Sequence, residues 1–399
     1  MIRNLTFKNF YSFNDEGVVD FIVNEHAPDT DAYSNDSENT RVTKLLAVIG
    51  PNASGKTNVL KALTFLKWLT VSSFNLKPED DIPFKPFFGS TDKNNSTYLS
   101  VEFDIENVIY KYSVELDIKK IISEKFEVKE RGYKKLFERT LDADGKKYTL
   151  VDSKFGLPND FEKVLRRNAS VIATANQFNH EVSKRIVSYW ITVVSNVLEL
   201  GFQSNGFENV FEAAKFYNSN PDLKNRAEML LKKFDLGLSG IKIVEWKKPK
   251  DKLEEKEESV FFPEGLHVFN GQTTELPFFY ESSGTQNLFQ LLQKILVVLE
   301  TGGVAILDEF DANLHPSMLP ELTDLFVSKT FNTRNAQLLF STHHPQILNR
   351  LDKYQIIFVE KDENGQSENW RMDDIQGVRT DDNFYAKYMA GVYGAVPKL

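Results

Sequence analysis

Cysteine is absent from all 399 residues, which excludes a disulfide framework, a thiolate metal site and a cysteine nucleophile. Long apolar runs are missing too. Residues 288–299, the most apolar stretch, are too few and too interrupted by Gln290, Gln293 and Lys294 to cross a bilayer, so no membrane is expected. The opening Met1-Ile2-Arg3-Asn4-Leu5 lacks the apolar segment of a signal peptide. Together with the missing cysteines, this makes a cytoplasmic location the expectation. Positive charge is in short supply: the formal net charge is −9, which argues against a chain that coats nucleic acid unaided and leans towards a protein partner. Histidine is scarce and scattered at 26, 180, 267, 315 and the adjacent pair 343–344, which cannot present the i,i+4 geometry of helical zinc ligands. Neither an internal repeat nor a sustained heptad pattern is visible, so a coiled-coil arm is not expected.

What remains is an ordinary globular composition in a chain long enough for a large core, as one big domain or two. Residues 2–10 alternate apolar and polar side chains as a half-buried strand does, and 18–23 reads as a second short strand. The Asp-, Asn- and Ser-rich stretch 24–41 reads as a surface loop. Leu45-Leu46-Ala47-Val48-Ile49 is a continuous apolar run stopping at Gly50, the pattern of a central parallel strand covered on both faces. Helical spacing follows at 59, 60, 63, 66 and 69.

From about 98 to 155 the period is two, with Asp144-Gly145 as a hairpin turn, which predicts an antiparallel lobe. Residues 180–235 read as several helices, and 247–258, rich in both lysine and acids, as a solvated loop tip. From 278 helix and strand alternate, with buried strands predicted at 304–307, 337–340 and 356–359. Strand–helix alternation at both ends implies one parallel sheet assembled from distant segments, the middle lobes being insertions. The expected segments are 1–97, the N-terminal half of the core; 98–170, the antiparallel β lobe; 171–275, an inserted helical lobe with the charged loop; and 276–399, the C-terminal half.

The chemistry is concentrated in Gly50-Pro51-Asn52-Ala53-Ser54-Gly55-Lys56-Thr57, which matches G-x-x-x-x-G-K-[ST] with a predicted strand before it and a helix after it, and the adjoining Asn58 is a further candidate nucleotide contact. The glycines let the backbone turn tightly and bring its N–H groups close to phosphate oxygens, and the helix N-terminus adds unpaired donors. Lys56 is expected to reach the β- and γ-phosphates of ATP, and the Thr57 hydroxyl to ligate Mg²⁺. Far away in sequence, Val304-Ala305-Ile306-Leu307 ends in two carboxylates. Asp308 suits the magnesium shell, and Glu309 is placed to polarise an attacking water as general base. Ser282, Ser283 and Gly284 open a predicted helix about twenty residues earlier and can offer hydroxyl and backbone donors to an anion. His343 follows a buried strand and could contact the γ-phosphate.

These segments, in this order, resemble the ABC-type ATPases of the SMC and RecF-like branch. The resemblance rests on the opening strand with Asn9-Phe10, the phosphate loop, the Ser-Ser-Gly segment, the Asp308-Glu309 pair, Asp311-Ala312-Asn313-Leu314-His315-Pro316 as the D-loop, and His343. The ending, Tyr388 to Pro397, is similar to short stand-alone bacterial members of the abortive-infection and RloA-like groups, which look like overcoming-lysogenization-defect proteins without the Toprim domain. It covers about residues 1–75 and 275–399. The resemblance implies an α/β P-loop NTPase fold with an ABC-type ATPase head, in which a mixed central sheet carries an antiparallel β lobe and an inserted helical lobe. It also implies a composite site: Lys56, Thr57, Asp308, Glu309 and His343 bind ATP in one subunit, while Ser282, Ser283 and Gly284 of a second close over the γ-phosphate. A homodimer or higher homo-oligomer formed through ATP follows. The glutamine that senses magnesium in such proteins has one candidate by chain order, Gln177.

Two functional classes stand out. One is a nucleotide-controlled dimerisation switch, hydrolysing ATP and regulating a separate effector, a nuclease or toxin, in anti-phage defence. The other is a DNA-repair or DNA-binding ATPase, against which the net charge weighs. A self-contained Toprim nuclease is not expected, because the 39 residues after Glu360 are few for such a domain and hold no paired Asp-x-Asp, and a non-hydrolysing scaffold conflicts with Glu309.

Overall fold

A computed structural model describes the chain except for residues 90–95, 199–200, 203–206, 235–236, 248–258 and 398–399, and leaves the side chains at 201, 202, 207 and 208 undescribed. Most of the charged stretch 247–258 therefore lies outside the described residues.

The apolar run at 45–49 becomes β5 (Leu45–Ile49), buried along its whole length. It lies between β18 (Gln337–Ser341) and β19 (Ile356–Lys361), parallel to both. Beyond β18 come β17 (Val304–Leu307) and β11 (Val193–Ser195), also parallel, and β20 (Ser367–Arg371) closes the other edge antiparallel to β19. Successive side chains of a strand face opposite ways. Leu46 and Val48 accordingly enter one core and Leu45, Ala47 and Ile49 a second, so the sheet is covered on both faces.

The first core is shared with α1 (Lys56–Val71), α2 (Val171–Gln177), α3 (Glu181–Ile191) and a seven-stranded antiparallel sheet. That sheet runs β10 (Tyr148–Asp152), β9 (Tyr133–Leu141), β8 (Ile121–Lys129), β7 (Val108–Leu116), β6 (Thr97–Ile105), β1 (Ile2–Lys8) and β2 (Gly17–Asp20). The antiparallel lobe thus extends beyond 98–155 to take in the two opening strands, which the alternating pattern of 2–10 could not assign to a partner. Gly145, at φ 69°, sits in the turn joining β9 to β10.

The second core is built by α4 (Phe207–Ser219), α5 (Pro221–Lys233), α6 (Ser283–Thr301), α7 (Met318–Val327) and α8 (Phe384–Met389). The aromatic ending packs here: Phe358 stacks on Tyr388 and Tyr393 at centroid distances of 5.6 and 5.9 Å. A three-stranded sheet of β14 (Gly240–Lys247), β15 (Ser259–Phe269) and β16 (Gln272–Pro277) leads into α6.

Two expectations change. Residues 24–41 are more than a surface loop, since β3 (Tyr33–Asn35) pairs with β4 (Arg41–Thr43) and Ala27, Ala32 and Tyr33 are buried against Tyr354. These isolated apolar residues among Asp, Asn and Ser show no period. The helical reading of 180–235 hides β11 and the hairpin of β12 (Val197–Leu198) and β13 (Gly201–Phe202). Strands this short leave too few residues to display an alternation.

Candidate functional site

The parallel strands of the central sheet deliver their carboxyl ends to one edge, where open α/β sheets bind ligands. At this edge a cavity of about 520 Å³ opens, lined by the phosphate loop and by Ser12, Phe88, Asp308, Glu309, His343 and Lys361.

The loop's shape depends on two glycines. A Cβ at Gly50 would lie 2.1 Å from the carbonyl oxygen of Val359. Gly55 has φ 116° and its Cβ would meet Ser367 Oγ at 2.5 Å, so an L side chain is excluded on both counts. The Lys56 ammonium folds back on the loop, donating to Gly50 O at 2.9 Å and Pro51 O at 3.0 Å. Burial pulls its pKa below the usual lysine range, while the carboxylates of Asp308, Glu309 and Asp311 act in the opposite sense. Behind the loop Asn58 donates to Ser12 Oγ at 2.7 Å, and Ser367 Oγ bonds both Ser12 Oγ and the Ser54 carbonyl.

Although 251 residues apart in sequence, Thr57 and Asp308 meet: Thr57 Oγ1 donates to Asp308 Oδ2 at 2.6 Å. Asp308 is fixed from three sides. Ser341 Oγ, at the end of β18, donates to its Oδ1. Asn196, just past β11, donates through Nδ2 to the Asp308 carbonyl at 2.9 Å and accepts the Asp308 N–H at 2.7 Å. Glu309 adopts φ 46°, a left-handed conformation rare for a side chain of its size, and its N–H donates to Ser341 Oγ at 2.9 Å. The N–H of His343 donates to both carboxylate oxygens of buried Asp311 at 3.3 Å, tying the turn after β18 to the turn after β17.

ATP and Mg²⁺ fit this constellation on the donors it holds. Ser54, like Lys56, lines the cavity, and its Oγ is buried with no hydrogen-bond partner, a polar atom suited to an anion. Among the described residues no group of three or more His, Cys, Asp or Glu is placed to hold a metal ion. A Mg²⁺ at Thr57 and Asp308 would therefore complete its oxygen shell from phosphate and water, as this ion usually does.

Four features stand outside the cavity or have no role assigned from the sequence. Ser282, Ser283 and Gly284 form the start of α6, the two serines exposed and the glycine half-buried, and do not line the cavity of their own chain; Ser282 Oγ caps the helix, accepting from Thr285 N at 3.1 Å. Gln177 is a correction. It ends α2, a helix whose Ser170 cap bonds Leu69 O and Ser73 Oγ at the C-terminal end of α1. The phosphate loop lies at the opposite end of α1, and exposed Gln177 is not among the residues that line the cavity. Asn196, by contrast, carried no signal beyond a polar residue after the brief Val193-Val194-Ser195 run. Ser341 could have been noticed as the first polar residue after a buried strand.

Over residues 45–349 the chain matches the family described as an AAA domain, putative AbiEii toxin, type IV toxin–antitoxin system. No protein of curated function matches it. Among solved structures it is similar to an SMC head bound to the C-winged helix domain of ScpA, with 14% identity, a TM-score of 0.52, and 92% of this chain and 96% of that one covered. An SMC head with a coiled coil and joint from Pyrococcus yayanosii gives 12% identity and a TM-score of 0.48, covering 98% and 99%. The SMC head domain from Thermotoga maritima gives 14% and 0.40, covering 93% and 98%. Sequence identity this low speaks to the fold alone, and the fold is that of an ABC-type ATPase head. Among the described residues no helix is long and apolar enough to cross a membrane. With the family match spanning most of the chain, the protein belongs to the family described as an AAA domain, putative AbiEii toxin, and is an ATPase of the AAA type with the fold of an SMC head.

Proposed function

We propose that the protein binds and hydrolyses ATP, uses the nucleotide to hold two copies together, and through that dimer regulates a separate effector, a nuclease or toxin, in anti-phage defence. The observation that carries the proposal is the 2.6 Å bond between Thr57 and Asp308, which joins the phosphate loop to the Asp308-Glu309 turn around one cavity. Lys56 and the loop N–H groups bind the β- and γ-phosphates. Thr57 and Asp308 hold Mg²⁺, which when bound neutralises phosphate charge. Glu309 takes a proton from the attacking water, and His343 steadies the γ-phosphate.

Dimerisation rests on where the Ser-Ser-Gly segment lies. With both serines exposed and the segment outside its own cavity, it is free to cap the cavity of a second copy. The γ-phosphate then biases the interface between two states, and hydrolysis releases it. The family's description as a putative toxin of a toxin–antitoxin system lends support to the defence role.

The test is Glu309→Gln. The variant should bind ATP, lose turnover and accumulate as a nucleotide-bound dimer in size-exclusion chromatography with light scattering, while Lys56→Ala should bind no ATP. Unchanged turnover in Glu309→Gln would remove Glu309 from the base role, and a monomer at saturating ATP would remove the switch. Sub-micromolar, salt-sensitive DNA binding by the wild type alone would favour a DNA-repair ATPase instead.

A further inference from the structure

The Ser-Ser-Gly segment is tied to elements on two sides of its own helix. On one side is the turn after β17. Asn287 Nδ2 donates to Ala312 O at 2.6 Å, and a Cβ at Gly284 would lie 2.9 Å from Asn313 O. On the other side is the three-stranded sheet. Glu281, the residue before Ser282, turns its side chain inward to 6% exposure, while Ser282 and Ser283 stay exposed. There His267 Nε2, on β15, donates to Glu281 Oε1 at 2.7 Å.

The strand is shaped for this carboxylate. Gly265 stands two residues before His267 and so faces the same way. A Cβ at Gly265 would lie 2.2 Å from Glu281 Oε1 and 2.7 Å from Leu238 Cδ2. Gly265 has no positive φ, so close approach and not backbone conformation demands glycine in this middle strand. The contact is also separate from the helix cap. Ser282 Oγ caps α6 by accepting from Thr285 N, whereas the Glu281 carboxylate bonds β15. Gln286 Nε2, one turn into α6, donates to Glu281 O at 2.9 Å. The backbone of Glu281 is thus bound to the helix and its side chain to the sheet.

We infer that Glu281, seated in the Gly265 notch and held by His267, is a positioning residue for the shared site. It sets where Ser282, Ser283 and Gly284 stand when they meet the nucleotide of a second copy, and so makes the three-stranded sheet the element that aims them. The inference rests on the shared-site reading proposed above and adds what orients the segment. Donors to a γ-phosphate tolerate little displacement: a shift of about 1 Å caused by a remote change can cost roughly 100-fold in rate. Removing the carboxylate, removing the imidazole and filling the notch break one and the same contact, so the three changes share one outcome.

The experiment measures ATP binding by calorimetry and Mg²⁺-dependent turnover for wild type, Glu281→Ala, His267→Ala, Gly265→Ala and Glu281→Gln. Each is assayed alone and mixed with Lys56→Ala or with Ser283→Arg protein. The first three variants should bind ATP within about twofold of wild type and lose turnover by roughly 10–100-fold. Mixing with Lys56→Ala should restore turnover, because that chain lends an intact segment to the variant's intact phosphate loop. Mixing with Ser283→Arg should not, because both chains then carry a damaged segment. Glu281→Gln keeps an acceptor for the imidazole N–H and should retain most of the turnover. Turnover in Glu281→Ala within about twofold of wild type overturns the inference. Loss of ATP binding by that variant, or no recovery with Lys56→Ala, also overturns it, since Glu281 then supports the fold at large. The shared-site reading survives each of these results as long as Ser283→Arg and Lys56→Ala restore one another. Failure of that last pair overturns the shared site and this inference with it.

Discussion

Asn196 offers a sharp test of how the site is held, because its side chain touches the backbone of Asp308 and makes no ion pair that would complicate the outcome. In Asn196→Ala the Asp308 N–H and C=O, both in a residue 2% exposed, lose their partners at 2.7 and 2.9 Å. Each buried group left unsatisfied costs about 1–3 kcal/mol, so equilibrium unfolding in urea should register a loss of roughly 2–6 kcal/mol. Function should respond separately. The carboxylate that meets Thr57 is then held by β17 and Ser341 alone, and loosening a partner of this kind typically costs about 10–100-fold in metal affinity or activity. The Mg²⁺ concentration for half-maximal ATP turnover should rise accordingly. Asn196→Asp keeps an acceptor for the Asp308 N–H but sets a carboxylate oxygen against the Asp308 carbonyl, so it should not rescue. A stability change below about 0.5 kcal/mol, small beside the cost of one unsatisfied group, with an unmoved Mg²⁺ requirement, would refute the clamp.

Three further perturbations follow from the same geometry. Ser283→Arg should bind ATP as a monomer but not turn it over. Mixing it with Lys56→Ala protein should restore turnover, because the heterodimer rebuilds one site from the intact Lys56 of one chain and the intact Ser283 of the other; absence of recovery argues against a shared site. Gly55→Ala should abolish ATP binding in a calorimetric titration, since the backbone at φ 116° and the 2.5 Å approach to Ser367 force the loop to move. The third concerns Glu124, fully buried, which accepts from Val171 N at 2.9 and 3.0 Å and from Tyr112 Oη at 2.9 Å, with Arg139 beside it. Burial raises its pKa above the usual 4.5, against the opposing pull of Arg139. The folded state therefore binds this proton more tightly than the unfolded chain, and stability from this group falls as pH rises from 4.5 through the folded value. Arg139→Met leaves the carboxylate without its cation, at about 3–5 kcal/mol, and should be more damaging at pH 8 than at pH 5. Glu124→Gln in the Arg139→Met background should recover much of the loss and flatten the pH dependence, both read from urea midpoints.

How much of this was legible in the sequence depended on whether a feature was local. β5 announced itself because burial on both faces demands an unbroken apolar run, and the phosphate loop because its glycines and Lys56 have fixed spacing. The Asp308-Glu309 turn was visible for the same reason, although nothing in a glutamate forecasts φ 46°. Asn196 was not legible, because its partner lies 112 residues away and its strand has three residues. Gln177 was chosen by chain order, and order cannot tell one end of α1 from the other. The Ser-Ser-Gly segment shows how the two kinds of information combine. Sequence marks it as a helix start with spare donors; only the fold says where that start points. α6 runs back from β17 over 19 residues, about 28 Å at 1.5 Å per residue, so its N-terminus returns to the edge of the sheet that carries Asp308. It arrives beside the turn after β17, where Asn287 donates to Ala312 O at 2.6 Å and Gly284 packs under Asn313 O, and not inside the cavity. A donor-rich helix start at the right edge of the sheet but outside its own cavity has no anion to serve in a single copy, and this placement supports a site completed by a second copy.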